Sequence, residues 1–379
     1  MKILLLGEYS RLHNSLKEGL IALGHQVLLV GTGDDFKSFP VDRNVFPQSR
    51  QHFLKNKWWL FVYKLTGYNY FRKETYKNLR RLLPELKGFD IVQLINEDAF
   101  LIDPEDEIKF FRSVFHQNNK IFLAACGEDH HVINYYNSGK MRYSILDPFI
   151  DNPHLVNEAA FSYKYLQPAY RKLHSFVLKH IDGLIPTDLD YAIPYRNHPK
   201  ALPMIPNPIN TDRIKYTPME INGPINIFFG INRLSYYKKG SHLILKALEQ
   251  VKKKYKNKIS IIIAENLPYN TYIKKYRQAH IFIDQVYSYD QGYNALEAMA
   301  QGKCVLTGAE KEFVDYYQLK EDVAVNILPE VNDIVEKIAE LVENPNRIVR
   351  LSQNARQFVE KYHNYKQIAQ KYVDVWTGK

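Results

Sequence analysis

The stretch Tyr287-Ser288-Tyr289-Asp290-Gln291-Gly292-Tyr293-Asn294-Ala295-Leu296-Glu297-Ala298-Met299-Ala300-Gln301-Gly302 is where the fold is read. It follows an apolar run, Ile281 to Ile283, and precedes another, Cys304 to Thr307. The pattern from Asn294 to Gln301 is helical, so the segment Ile281 to Gly308 spells strand, loop, helix and strand. A loop that opens a helix at a strand end presents free backbone N–H groups and the positive end of the helix dipole. Both favour a phosphate, and Gly292 lets the backbone approach it. Glu297 falls about one turn inside the helix, where a carboxylate can accept hydrogen bonds from a ribose hydroxyl pair. An ordinary amphipathic helix with a surface glutamate fits the same residues, so this run alone leaves both readings open.

Working outward, Lys2 to Leu6, a helical pattern through Leu12, Leu16, Leu20 and Leu23, and Val27 to Val30 form a βαβ opening. Strands are expected at Ile91 to Ile95, Ile121 to Ala125 and Gly183 to Pro186. In the second half they are expected at Ile225 to Phe229, Ile259 to Ile263, Ile281 to Ile283, Cys304 to Thr307 and Ala324 to Ile327. Helices fall near Ser241 to Tyr255, Asn294 to Gln301 and Val331 to Val342. Most strands are separated by enough chain for a crossover, which predicts an α/β protein with parallel sheets. The breaker-rich stretch Pro203, Pro206-Asn207-Pro208, Pro218 and Gly223-Pro224 reads as the linker between two halves. The segment Asn346 to Trp376 is helical, with aromatics at intervals that could cap either half.

A second motif follows the strand ending at Phe229: Gly230-Ile231-Asn232-Arg233-Leu234-Ser235-Tyr236-Tyr237-Lys238-Lys239-Gly240. Arg233 and Lys239 emerge at the carboxyl end of a strand, the edge at which open α/β sheets bind ligands. A guanidinium pairs bidentately with phosphate and an ammonium adds a point charge, so the two suit a diphosphate.

Gly-x-Asn-Arg with Lys-Lys-Gly, followed by Gly292, Glu297 and Glu-Ala-Met-Ala-x-Gly, resembles the GT-B glycosyltransferases, particularly the large retaining family 4. Gly24-His25-Gln26-Val27, and Pro206-Asn207-Pro208 with Thr211, extend the resemblance over nearly the whole chain. It implies two Rossmann-like domains facing each other across a cleft, with a C-terminal helix crossing back: residues 1–205 for the acceptor, 206–355 for the nucleotide sugar, and 356–379 for the crossing helix. It also implies a metal-independent hexosyltransferase of retaining type, with a nucleotide-diphosphate sugar as co-substrate and no cofactor. The donor set it implies is Gly230, Asn232, Arg233, Lys239, Gly292, Tyr293, Asn294 and Glu297. Arg233 and Lys239 would hold the leaving diphosphate and Glu297 the ribose. Two departures stand out. The family usually carries a glutamate eight residues before the helix glutamate, where this chain has Tyr289 beside Asp290. Between Ile263 and Tyr276 the chain is also shorter than the family pattern.

On the acceptor side, Gly7 and Glu8 follow the first strand, and Asn96 and Glu97, then Asp98, follow the strand from Ile91. Cys126-Gly127-Glu128-Asp129-His130-His131 follows another. The resemblance places a histidine near the transferred sugar, which makes His130 the candidate, with Asp129 as orienter or acid/base group. His131 competes with it, and a hydrogen-bonded structural histidine is an equal alternative. Asp188-Leu189-Asp190 has the spacing of a metal and diphosphate motif, but an Asp at that point reads better as a helix cap.

The formal charge of +10 favours an anionic partner without naming one. Between Arg50 and Lys87 basic residues interleave with aromatics. The segment suits either a peripheral membrane contact through residues 53–81 or a solvated basic face whose aromatics pack inward. The two cysteines, Cys126 and Cys304, form no metal cluster and fit a reducing compartment. No apolar run approaches about 18 residues, and no signal peptide is evident. The expectation is thus a cytoplasmic enzyme, working at the inner face of the membrane if that contact exists. It would transfer a sugar to a glycan or lipid-linked acceptor in surface polysaccharide synthesis, without a nucleic-acid partner. A nucleotide-sugar 2-epimerase and a non-catalytic GT-B relative are the alternatives.

Overall fold

A computed structural model describes residues 1–34, 39–265 and 269–379. Its first sheet is parallel throughout and contains β1 (Lys2–Leu6), β2 (Gln26–Gly31), β3 (Arg43–Asn44), β4 (Ile91–Leu94), β5 (Lys120–Ala125) and β6 (Gly183–Pro186), in the order β3-β2-β1-β4-β5-β6. The second contains β7 (Ile225–Ile231), β8 (Ile259–Glu265), β9 (Ile281–Ile283), β10 (Cys304–Thr307) and β11 (Val325–Asn326), in the order β11-β10-β9-β7-β8 and again parallel. The near-continuous apolar strands are explained by this arrangement. A parallel sheet is covered by helices on both faces, so every residue of β4 and β10 is buried. In each sheet the strand order reverses beside the first strand of its half, β1 or β7, which makes a crevice at the carboxyl edge.

The predicted helix Ser241–Tyr255 forms as expected, and that near Asn294 runs Tyr293–Ala300. Gly240 explains the Lys-Lys-Gly spelling ahead of the first. Its φ is +69°, and a Cβ there would fall 2.2 Å from Val286. Sequence periodicity did not indicate β3 or the paired helices Phe53–Thr66 and Tyr70–Leu82. Within the stretch 263–276, residues 266–268 lie outside the described ones, and the helix Tyr269–Arg277 follows them.

The C-terminal segment is two helices, Pro345–Tyr362 and Tyr365–Thr377. The first lies against β10 and the helix Tyr293–Ala300. It runs through residue 356 without a break, and the turn falls at His363–Asn364. There the linker runs alongside, with Ile209 N–H donating to His363 O and Tyr365 N–H to Ile209 O. The last helix crosses back and packs on Leu12–Ala22, the helix after β1. Gly19 permits that approach, since a Cβ on it would meet Tyr365 O at 2.3 Å. Trp376 is fully buried under the first sheet, its indole N–H donating to Gln93 at 3.1 Å.

Candidate active site

The carboxyl edges of the two sheets face each other, and the loops leaving them meet. From the first sheet come Gly127 and Glu128 after β5. From the second come Ser235, Lys238 and Lys239 after β7, and Gln285 after β9. These residues line one cavity of about 190 Å³ between the domains. Lys238 spans it in an ion pair with Glu128, both side chains largely buried.

Lys239 reaches Asp284 at 2.5 Å. Asp284 leaves the end of β9, and its second carboxylate oxygen is buried without a hydrogen-bond partner. That oxygen lies 3.3 Å from where a Cβ on Gly292 would stand, and Gly292 is the N-cap of the helix Tyr293–Ala300. A protein carboxylate therefore sits between Lys239 and the helix N-terminus, the position an anion would favour. Arg233 begins on the same turn but diverges. It forms a two-pronged pair with Glu265 at the end of β8, with one contact at 2.8 Å, and its side chain is 59% exposed on the rim. Asn232 holds that turn by accepting from Leu234 N–H at 3.1 Å, while Gly230 lies within β7.

The other donor candidates are spread more widely. Tyr293 is buried, and its hydroxyl bonds Ser15 at 2.6 Å and donates to Pro208 O at 2.7 Å. It joins the domains and does not line the 190 Å³ cavity. Asn294 is exposed. Glu297 lines a different cavity of about 210 Å³, with Arg11, Asn210, Arg213 and Tyr293.

On the acceptor side, Gly7 turns at φ +84° with Ile95 filling the space of a Cβ. Glu8 is buried and accepts from Asn14 N–H at 2.8 Å and from its side chain at 2.7 Å. Burial pushes its pKa up to about 8 against those bonds. Asn96 donates to Cys126 O and Glu128 O, each at 3.2 Å, so it shapes the loop that carries Glu128. Glu97 is fully buried, 2.5 Å from His174, and accepts from His130 N–H. Burial alone would lower the His174 pKa, but the Glu97 charge raises it. Asp129 caps the helix His130–Asn137 through Val132 N–H at 2.7 Å and accepts from the Tyr195 hydroxyl at 2.8 Å. Burial and the Glu97 charge raise its pKa to about 7. His130 bonds Tyr165 O at 2.8 Å and His131 bonds Pro194 O at 3.0 Å. Neither histidine, nor Asp129, lines the interdomain cavity. Their neighbour Glu128 does.

Tyr289, where the family pattern has glutamate, is buried. Its hydroxyl accepts from Arg142 N–H at 2.9 Å, and the Arg142 guanidinium lies 4.7 Å from its ring centroid. Arg142 and Tyr143 also bond Glu310 after β10, at 2.8 and 2.6 Å. Asp188 caps its helix, accepting from Tyr191 N–H at 3.3 Å. Asp190 reaches across the interface to the Ser288 hydroxyl at 2.5 Å and Tyr289 N–H at 2.8 Å, while Asp290 accepts from Leu189 N–H at 3.3 Å. Among the described residues no group of three or more His, Cys, Asp or Glu is arranged to hold a metal ion.

This pairing of doubly wound sheets is shared with solved structures. Sucrose-phosphate synthase from Thermosynechococcus elongatus is 13% identical with a TM-score of 0.62, over 100% of this chain and 98% of that one. HepE from Anabaena in complex with UDP and glucose is 12% identical with a TM-score of 0.61, over 100% of both chains. The fold is GT-B. UDP-GlcNAc 2-epimerase from Neisseria meningitidis, bound to UDP-GlcNAc, shares it at 13% identity and a TM-score of 0.54, over 100% of both chains. Residues 239–374 match the profile of the glycosyl transferase-like family. No curated protein matches the chain in sequence.

The residues that sequence reasoning passed over are Glu128, Lys238, Asp284 and Gln285. Their signal was positional, since Glu128, Asp284 and Gln285 sit within three residues of the carboxyl end of a strand and Lys238 on the loop that leaves β7.

Proposed function

We propose that the protein is a glycosyltransferase that moves a sugar from a nucleotide diphosphate, in the first instance UDP, to a glycan or lipid-linked acceptor. The observation that carries this is Lys239 placed beside the N-cap of the helix Tyr293–Ala300, in a cavity walled by both domains. Asp284 keeps Lys239 extended toward that helix. A diphosphate arriving there takes over the ammonium and the helix N–H groups, and Arg233 exchanges Glu265 for a phosphate oxygen from the rim. These cations meet the charge that develops as the sugar leaves, often the largest part of the catalytic effect, so the step needs no metal. The resemblance to UDP-binding GT-B proteins supports UDP as the nucleotide. Glu297 remains the proposed ribose ligand, reached once the domains part at Tyr293. In a retaining reaction the diphosphate itself takes the acceptor proton. Glu128 is a first-domain carboxylate that lines the same cavity as Lys239, and it would serve as base in an inverting one. Surface polysaccharide synthesis at the cytoplasmic membrane face is the setting in which such an acceptor would be met.

The 2-epimerase relative shares the fold and makes a second reading specific. Incubation with UDP-sugars, with and without glycan and lipid-linked acceptors, decides between them. Acceptor-dependent release of UDP supports transfer. Epimerised sugar nucleotide without acceptor overturns it.

A further inference from the structure

A separate cavity of about 310 Å³ opens at the same edge of the first sheet, beside β1 and β2 rather than β5. Tyr9, Phe100, Arg50 and Arg72 line it, with Asp34, and Leu60 and Tyr63 of the helix Phe53–Thr66 complete it. That helix has no buried residue. It rests on the half-buried Asn56, Trp59 and Val62, with Trp59 stacked on Tyr70 at 3.8 Å. Leu54, Trp58, Phe61 and Leu65 recur at helical spacing along one stripe, and they are 79, 60, 54 and 69% exposed. Lys55, Lys57 and Lys64 flank the stripe, and no acidic residue occurs between Arg43 and Lys73. A contiguous apolar stripe edged by lysines, on a helix the protein barely covers, matches an interfacial helix on anionic lipid. Of the aromatics on this helix, Trp59 packs inward, while Phe53, Trp58, Phe61 and Tyr63 are exposed.

Leu60 and Tyr63 face the cavity from the side of the same helix turned away from the stripe, so an amphiphile held by the bilayer enters it around the helix. We propose that the helix Phe53–Thr66 docks on an anionic bilayer and that the cavity receives an acceptor built as a phosphate head on a hydrocarbon chain. Arg50 and Arg72 meet the phosphate, Leu60 and Tyr63 meet the first methylenes, and the far side of the head points toward the cleft. The acceptor role rests on the transfer reading above, whereas lipid binding does not.

The test is flotation of the full chain at low salt with vesicles of phosphatidylcholine alone or mixed with phosphatidylglycerol. The wild type should float with the anionic vesicles only. A Trp58→Ser/Phe61→Ser variant, altered at exposed positions, should lose roughly tenfold or more in binding while melting like the wild type. Dodecyl phosphate below its micelle concentration should raise the melting temperature of the wild type and of that variant, but not of Leu60→Asp. Inorganic phosphate should raise none of them. Absence of flotation, flotation indifferent to the double substitution, or an equal shift with inorganic phosphate overturns the proposal. UDP thermal shifts on the same samples separate the two readings. Flotation lost with UDP binding intact removes this proposal alone, and UDP binding absent with flotation intact removes the transfer reading.

Discussion

Lys239 and Asp284 meet at 2.5 Å beside the N-cap of the helix Tyr293–Ala300, with the other Asp284 oxygen buried and unpaired. The site thus keeps its cation in place with an internal anion that a diphosphate must displace. Lys239→Ala should weaken UDP binding by about 2 kcal/mol and lower turnover further, because charge grows on the diphosphate as the sugar leaves. Asp284→Asn should bind UDP more tightly than the wild type. Calorimetric titration and initial rates read both outcomes.

Arg233 differs from Lys239 by standing on the rim, paired to Glu265 in water. Arg233→Ala should leave melting temperature unchanged, since exposed pairs contribute little to stability. Donor affinity and turnover should each fall by roughly tenfold. Undiminished values for both would remove Arg233 from the diphosphate site.

Glu128 and Lys238 close the cleft from opposite domains. Glu128→Gln leaves a largely buried ammonium without its charge partner, costing roughly 2 kcal/mol or more in the closed arrangement. Small-angle scattering without ligand should report a larger radius of gyration for the variant than for the wild type.

The aspartates at the interface set a pH dependence. Burial lifts Asp190 to about 6, and burial with the Asp190 charge lifts Asp290 to about 7, against an ordinary value of 3.8. Between about pH 4 and 7 these two carboxyls hold more protons in the folded protein than in the unfolded chain, so their contribution to stability falls as pH rises through that window. Asp290→Asn should melt above the wild type at about pH 8, by an amount on the order of 2 kcal/mol, and close to it at about pH 4. Melting curves across the range test the sign.

Gly19 and Trp376 tie the returning helix to the first domain. Trp376→Ala should cost about 3–5 kcal/mol, and Gly19→Leu should detach the helix, because backbone already occupies the place of a Cβ. Hydrogen exchange confined to residues 365–377 would show the second effect.

The architecture was legible because its signals are local. Buried parallel strands leave short apolar runs such as Ile281 to Ile283 and Cys304 to Thr307, and the helix Ser241–Tyr255 announces itself by periodicity and by Gly240. The helix Phe53–Thr66 escaped notice because it buries almost nothing, so no periodic core face marks it. At the site, the turn after Phe229 could be placed from sequence, but not the partners of its cations. Lys239 meets a residue 45 positions away and Lys238 one 110 away, and nothing local encodes either pairing. The interval between Tyr289 and Glu297 gave no sign that Tyr289 holds the loop at Arg142, or that Tyr293 and Glu297 face a different cavity from Lys239. These are consequences of how the domains close on each other.

The central claim, that this cleft holds a nucleotide diphosphate at Lys239, is tested most directly by calorimetric titration of UDP into the wild type and Lys239→Ala. A single saturable site in the wild type, weakened at least tenfold in the variant while the variant remains folded by circular dichroism, is the predicted result. Equal UDP affinity in the two proteins, or no UDP binding to the wild type, would contradict it.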